Sequence, residues 1–130
     1  MASNGLSLLV VTGSRERLQM AGMVASVAAV SGSDVTVFLS MNALSYFVRG
    51  SASVPPAEGS FGEVMAGTNV PPFRQLFEQA VSLGGAKVHP CSMAMDVLHL
   101  EPPELEDWLG EPLGLTRFLA DASEGELVTF

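Results

Sequence analysis

Leu6-Ser7-Leu8-Leu9-Val10-Val11-Thr12-Gly13-Ser14-Arg15-Glu16 is the stretch on which the fold turns. Leu6 to Val11 is a nearly continuous apolar run, the pattern of a strand buried on both faces of a parallel sheet. Thr12-Gly13-Ser14 interrupts it. Ser14 suits a helix N-cap, and Glu16 in the first turn suits the positive end of the helix dipole. The helix extends to about Val30 and stops at Ser31-Gly32-Ser33. A second β-branched strand, Asp34-Val35-Thr36-Val37-Phe38-Leu39, follows, then a helix from roughly Asn42 to Val48. Strand, helix and strand with short connections make a βαβ unit, which crosses over to the right.

Working outward, residues 49–72 change texture, with Gly50, Gly59, Gly62, Gly67, Pro55, Pro56, Pro71 and Pro72. This is the one long irregular segment, and a loop of that length in a compact domain is usually functional, often a lid. Phe73 to Leu83 is amphipathic, with Phe73, Leu76, Phe77, Ala80 and Val81 on one stripe, and Gly84-Gly85 closes it. Ala86 to Pro90 reads as a short strand and Ser92 to Leu98 as a helix that Pro102-Pro103 terminates. Glu104 to Leu109 suits a short helical turn, Leu115 to Ala122 a helix, and Glu126 to Phe130 a closing strand. The alternation predicts one α/β domain over residues 1–130: a mainly parallel sheet of about five strands with helices on both faces.

Composition narrows the function. Hydrophobic residues make up 48% and charged residues 15%, with a mean hydropathy of +0.36. That is apolar for a monomer of 130 residues, so part of the surface is expected to be covered by another subunit. In the first helix Met20, Met23, Val24, Val27 and Val30 form an apolar stripe, while Ala21, Gly22, Ala25, Ala28 and Ala29 leave the other faces small. A helix apolar all round is covered all round. A net charge of −8 with six Lys plus Arg allows no basic patch, which argues against nucleic acid or an anionic membrane as partner. Neither a signal peptide nor an apolar stretch of membrane-spanning length is visible, so a cytoplasmic protein is the expectation. From Glu101 onward Glu101, Glu104, Glu106, Asp107, Glu111, Asp121, Glu124 and Glu126 face only Arg117. Such a face is usually just solvated, and it also suits a basic partner protein.

Cys91 is the only cysteine. It can form no internal disulfide, and it stands between the strand Ala86–Pro90 and the helix from Ser92. A thiol there faces the first free N–H groups of the helix, whose dipole favours the thiolate, the nucleophilic form. In open parallel sheets ligands bind beyond the carboxyl ends of the strands. Three junctions lie on that edge: Thr12-Gly13-Ser14-Arg15, Ser40-Met41-Asn42 and His89-Pro90-Cys91-Ser92. Thr12, Ser14, Met41, Asn42, Ser92 and Met93 are the expected cleft wall around Cys91, with residues 49–72 as its cover. The competing reading makes Cys91 a small packed hydrophobe, the commonest fate of an isolated cysteine. His89 is close in sequence but suits a structural role, and His99 lies about two turns down the helix. No His, Cys or carboxylate cluster has metal-ligand spacing. Gly13-Ser14 lacks the rest of a phosphate loop, so neither metal nor cofactor is expected.

Ala86-Lys87-Val88-His89-Pro90-Cys91-Ser92-Met93-Ala94-Met95-Asp96-Val97 resembles the strand, cysteine, Ser/Met-rich turn and helix of the DsrE/DsrF-like family of small sulfur-carrier proteins. Asp34 to Phe38 followed by Met41-Asn42-Ala43-Leu44, and the terminal Glu126 to Phe130, resemble its second and closing strands. The resemblance implies that Cys91 accepts sulfane sulfur as a persulfide and relays it between a sulfur-donor and a sulfur-acceptor protein, the acceptor of the TusA-like type. It also implies a homo-oligomer, trimer or hexamer. Ala94 departs from the Ser often found in close relatives, and no further cysteine is present for a resolving step. The alternative is a non-catalytic oligomeric subunit or small-ligand-binding module in which Cys91 is structural.

Overall fold

Parallel pairing organises the molecule. The computed structural model describes residues 5–130; residues 1–4, on which the reading of a leaderless start partly rests, lie outside them. Strand β1 (Gly5–Val10) pairs on one side with β2 (Asp34–Leu39) and on the other with β4 (Glu126–Thr129), and β2 pairs with β3 (Lys87–Pro90), all in parallel. The sheet order is β3-β2-β1-β4. The crossovers from β1 to β2 and from β2 to β3 step in the same direction along the sheet, and the common right hand of such connections accounts for helices α1 (Arg15–Val30) and α3 (Phe73–Gly84) packing together on one face. The return from β3 to β4 runs the other way, so α5 (Leu115–Ala122) lies on the opposite face, where Phe118 stacks on Phe38 with ring centroids 4.8 Å apart.

The sheet has four strands rather than about five. The fifth position, outside β3, is held by a stretch too irregular to count as a strand. Gly110 N–H donates to the Val88 carbonyl at 2.7 Å, Leu113 N–H to the Pro90 carbonyl at 3.0 Å, and Leu113 forms an isolated parallel bridge with Cys91. Pro112 and two glycines in this stretch suit no regular ladder. Glu104 to Leu109, expected as a helical turn, contributes to a short 3-10 helix at Pro102–Glu104 and is otherwise irregular.

Helix α1 is oriented by its small residues, not its large ones. Leu18, Ala21, Gly22, Ala25 and Ala29 are buried, whereas Met20, Met23, Val27 and Val30 are all exposed. The reason is the close passage of α3: a Cβ at Gly84 would lie 2.5 Å from the Ala29 Cβ and 2.7 Å from its carbonyl carbon. Only small side chains admit that approach. Beyond it Gly85 takes a left-handed φ of 72°, and Ala86 N–H returns to the Ala80 carbonyl at 2.9 Å, closing α3 as its Gly-Gly ending suggests.

Two expected segments differ. Asn42 to Val48 is not an α-helix but lies within a 3-10 helix, Met41–Phe47, whose Phe47 is buried edge-on to Phe73, Phe77 and Trp108. Residues 49–72 are not wholly irregular: they contain α2 (Ser60–Met65) and are strapped to α1. Glu16 accepts from the N–H groups of Glu58 at 2.7 Å, Gly59 at 2.8 Å and Gly62 at 3.1 Å. Arg15 donates to the carbonyls of Pro55 at 3.2 Å and Gly62 at 2.6 Å, and Arg74 to those of Tyr46 and Ser53.

Candidate functional site

Cys91 follows β3 directly and precedes α4 (Ser92–Leu98) as its N-cap residue. It is 4% exposed, and its N–H donates to the Leu39 carbonyl at 2.8 Å, extending the β2–β3 ladder by one residue. The thiol does not cap the helix as expected. Its side chain makes no hydrogen bond to α4, and the Ser92 N–H is already committed to the Leu113 carbonyl at 2.9 Å. The ladder decides this: with its backbone held in extended geometry beside Leu39, Cys91 directs its side chain off the sheet face rather than over the helix end.

What the thiol meets there is an apolar cavity of about 360 Å3, lined by Leu9, Val11, Phe38, Ser40, Met41, Cys91, Ser92, Met93, Gly114 and Leu115. Strand ends supply the floor and the start of α5 one wall. Met41, Met93 and Leu115 stand at the rim, each about half exposed. Met41 holds a left-handed φ of 52°, unfavourable for a residue other than glycine. That conformation lies just past the end of β2, where the chain enters the 3-10 helix that follows.

The residues read from the sequence as one cleft wall divide between two cavities. Met41, Ser92 and Met93 share the cavity of Cys91. Thr12, Ser14 and Asn42 line a separate, more polar pocket of about 560 Å3 beyond the carboxyl end of β1, with Ser45, Tyr46, Pro56, Ala57 and Glu58. Ser14 is occupied there as the N-cap of α1, accepting from Arg17 N–H at 3.2 Å, and Thr12 Oγ1 accepts from Ser14 N–H at 3.0 Å. The segment 49–72 covers this second pocket and contributes nothing to the first.

The histidines are not placed as bases for Cys91. His89 Nδ1 lies 2.8 Å from the Glu111 carbonyl; since a carbonyl only accepts, that nitrogen carries the proton. His89 faces a different cavity, about 620 Å3, which it shares with Asp34, Lys87 and Arg117 at the amino-terminal side of the sheet. His99 is exposed and ends α4 in a left-handed conformation with φ of 56°. Among the described residues no group of three or more His, Cys, Asp or Glu can hold a metal ion, and no helix is long and apolar enough to cross a membrane.

Sequence reasoning put Ser40 on a junction at the binding edge without counting it in the cleft wall, and it passed over Leu9, Val11, Phe38, Gly114 and Leu115. Phe38 and Ser40 were within reach of strand alternation, because residues two apart on β2 share a face. Gly114 and Leu115 arrive from a segment whose pairing outside β3 no local pattern announces.

Similar proteins agree on the architecture. The ychN protein from E. coli matches over 100% of both chains at 19% identity with a TM-score of 0.63. The protein of unknown function MTH1491 from Methanobacterium thermoautotrophicum matches over 97% of both at 12% identity with a TM-score of 0.57. No curated protein matches by sequence. Residues 56–130, which carry α2 to β4 and therefore Cys91, match the model of the DsrE/DsrF/DrsH-like family, and the chain belongs to that family.

Proposed function

We propose that the protein is a sulfur carrier, with Cys91 as the residue that takes and gives up the cargo. One observation carries this reading: the only cysteine of the chain opens from the carboxyl end of β3 into an apolar cavity large enough for a small sulfur species. The Cys91 thiolate attacks the outer sulfur of a donor persulfide; a new S–S bond forms on Cys91, the donor S–S bond breaks, and the donor leaves as a thiolate. An acceptor thiolate then attacks the outer sulfur held on Cys91, which departs as a thiolate in turn. Each step is a thiol exchange that needs no external oxidant. With no second cysteine in the chain, release passes to another molecule: a sulfur-acceptor protein of the TusA-like type, as the donor is a protein persulfide. The protein acts in the cytoplasm as a homo-oligomer, trimer or hexamer, and the exposed stripe Met20, Met23, Val27 and Val30 on α1 supports that assembly.

The second reading, a structural Cys91 in a non-catalytic subunit, is favoured by the 4% exposure of the residue. Intact mass after incubation with polysulfide separates the two. The expected result is a gain of one sulfur atom, removed by reductant and absent from Cys91→Ser, on a protein whose fold and assembly are unchanged by the substitution. A wild type that gains nothing while folded, or a Cys91→Ser variant that loads, overturns the carrier reading.

A further inference from the structure

We propose that the Ser40 hydroxyl is the hydrogen-bond donor for the outer sulfur of a persulfide on Cys91. The inference rests on the sulfur-carrier reading and adds the residue that retains the cargo. Ser40 continues β2, its N–H donating to the Val10 carbonyl at 3.0 Å, just as Cys91 continues β3 through its bond to Leu39. Leu39 pairs with Pro90, so Ser40 and Cys91 are the next lateral neighbours. Alternation puts Phe38 and Ser40 on one face of β2, with His89 and Cys91 on the same face of β3. Neighbouring strands run about 4.8 Å apart, and the two side chains therefore stand side by side. Both line the same cavity.

Ser40 is 96% buried, at 4% exposure, yet among the described residues its hydroxyl has no hydrogen-bond partner, the Cys91 thiol included. Among the described residues no completely enclosed side-chain nitrogen or oxygen lacks a partner, so the hydroxyl must reach the open space of the cavity. Buried hydroxyls are ordinarily paired. One left free in a wall of Leu9, Val11, Phe38 and Met41 awaits an atom the protein does not itself supply. A persulfide supplies it: the added S–S bond of about 2.05 Å carries the outer sulfur away from Cys91 and into the cavity. That sulfur is anionic, Ser40 O–H donates to it, and the apolar surroundings keep competing water few. Ser92, the other hydroxyl on the wall, is exposed and free to bond water.

The test is an exchange equilibrium. In the reaction, Cys91 thiolate and glutathione persulfide give Cys91 persulfide and glutathione thiolate, so charge and oxidation level balance. Wild type, Ser40→Ala and Ser40→Thr are equilibrated with defined ratios of glutathione persulfide and glutathione, the loaded fraction is read by intact mass, and thermal midpoints are taken beside it. The expected loss in Ser40→Ala is about tenfold in the exchange constant, the scale of a hydrogen bond to a charged group. Ser40→Thr is expected to recover to within about threefold of wild type, because it keeps the donor. The thermal midpoint of Ser40→Ala should equal or exceed that of wild type, since no protein partner is lost. Loading of Ser40→Ala equal to wild type overturns the proposal and leaves the carrier reading standing. A loss that threonine does not rescue, or an alanine variant that unfolds, assigns the hydroxyl to packing and likewise overturns it. Failure of the wild type to load is a different outcome, sinking the carrier reading and this inference together.

Discussion

Glu16 shows how much one side chain can organise. Its carboxylate gathers three backbone N–H groups from the far side of the 49–72 segment, foremost that of Glu58, and this lowers its pKa from the ordinary value of 4.5 against a smaller opposing effect of desolvation. A carboxyl held below its ordinary value stabilises the folded state at neutral pH, and that contribution disappears as pH falls from about 4.5 through the depressed value. Stability to urea should therefore drop over this acid range in the wild type and more shallowly in Glu16→Gln. Amide exchange at Glu58, Gly59 and Gly62 should accelerate in the variant at neutral pH; unchanged exchange there would show that the strap does not depend on the carboxylate. The sequence announces Glu16 only as a first-turn acid suited to the dipole, because its three partners lie more than forty residues away. Cys91 was legible for the opposite reason: it is unique, and it sits at a junction that local pattern alone locates. Ser40 needed the lateral register of β2 and β3, and the apolar wall needed α5.

At the level of elements, the order of the strands and of the longer helices α1, α3 and α5 could be read off because each strand is short, largely apolar or β-branched, and bounded by Gly, Ser or Pro. The orientation of α1 could not. Periodicity in Met20, Met23, Val27 and Val30 suggests a core stripe, but the α1–α3 contact rewards closeness over side-chain bulk. Dispersion depends steeply on distance, and backbones brought together over Ala25, Ala29 and Gly84 gain contacts that larger side chains would prevent. Gly84→Ala should therefore destabilise the fold by about 1–3 kcal/mol, as overpacking does, measured by equilibrium denaturation. A loss within the few tenths expected of a surface change would mean the helices can separate to admit a methyl group. The 3-10 geometry of Met41–Phe47 is likewise tertiary in origin. The left-handed turn at Met41 and the anchoring of Phe47 against Phe73, Phe77 and Trp108 fix both ends of a segment that local propensity would wind as an α-helix.

For the whole molecule, the apolar side chains displaced from the core by that close helix contact become surface. Met20, Met23, Val27 and Val30 repeat along one side of α1, between 44% and 67% exposed, a pattern that favours burial against another chain. Val27→Lys, at the most exposed of these positions, is expected to shift the protein toward monomer in sedimentation equilibrium without lowering its helix content. A wild type that sediments as a monomer would exclude α1 as an assembly face. The acidic residues from Glu101 onward are almost all exposed, so a net charge of −8 is displayed and not neutralised within the chain. Same-charge repulsion opposes association between copies, and an assembly through α1 would have to overcome it by apolar contact.

The two margins of the sheet are unequal. Outside β3 the carbonyls of Val88 and Pro90 are already capped by Gly110 and Leu113, while among the described residues no strand pairs with the outer side of β4. A sheet with one sealed margin and one free margin can be lengthened only once. Two copies that joined through β4 would bring their sealed margins to the outside, and growth would end there. Glu124 and Glu126 beside that free margin discourage even this single union. The irregular stretch outside β3 thus acts as a chain terminator, so that pairing between folded copies through the margins of this sheet is self-limiting.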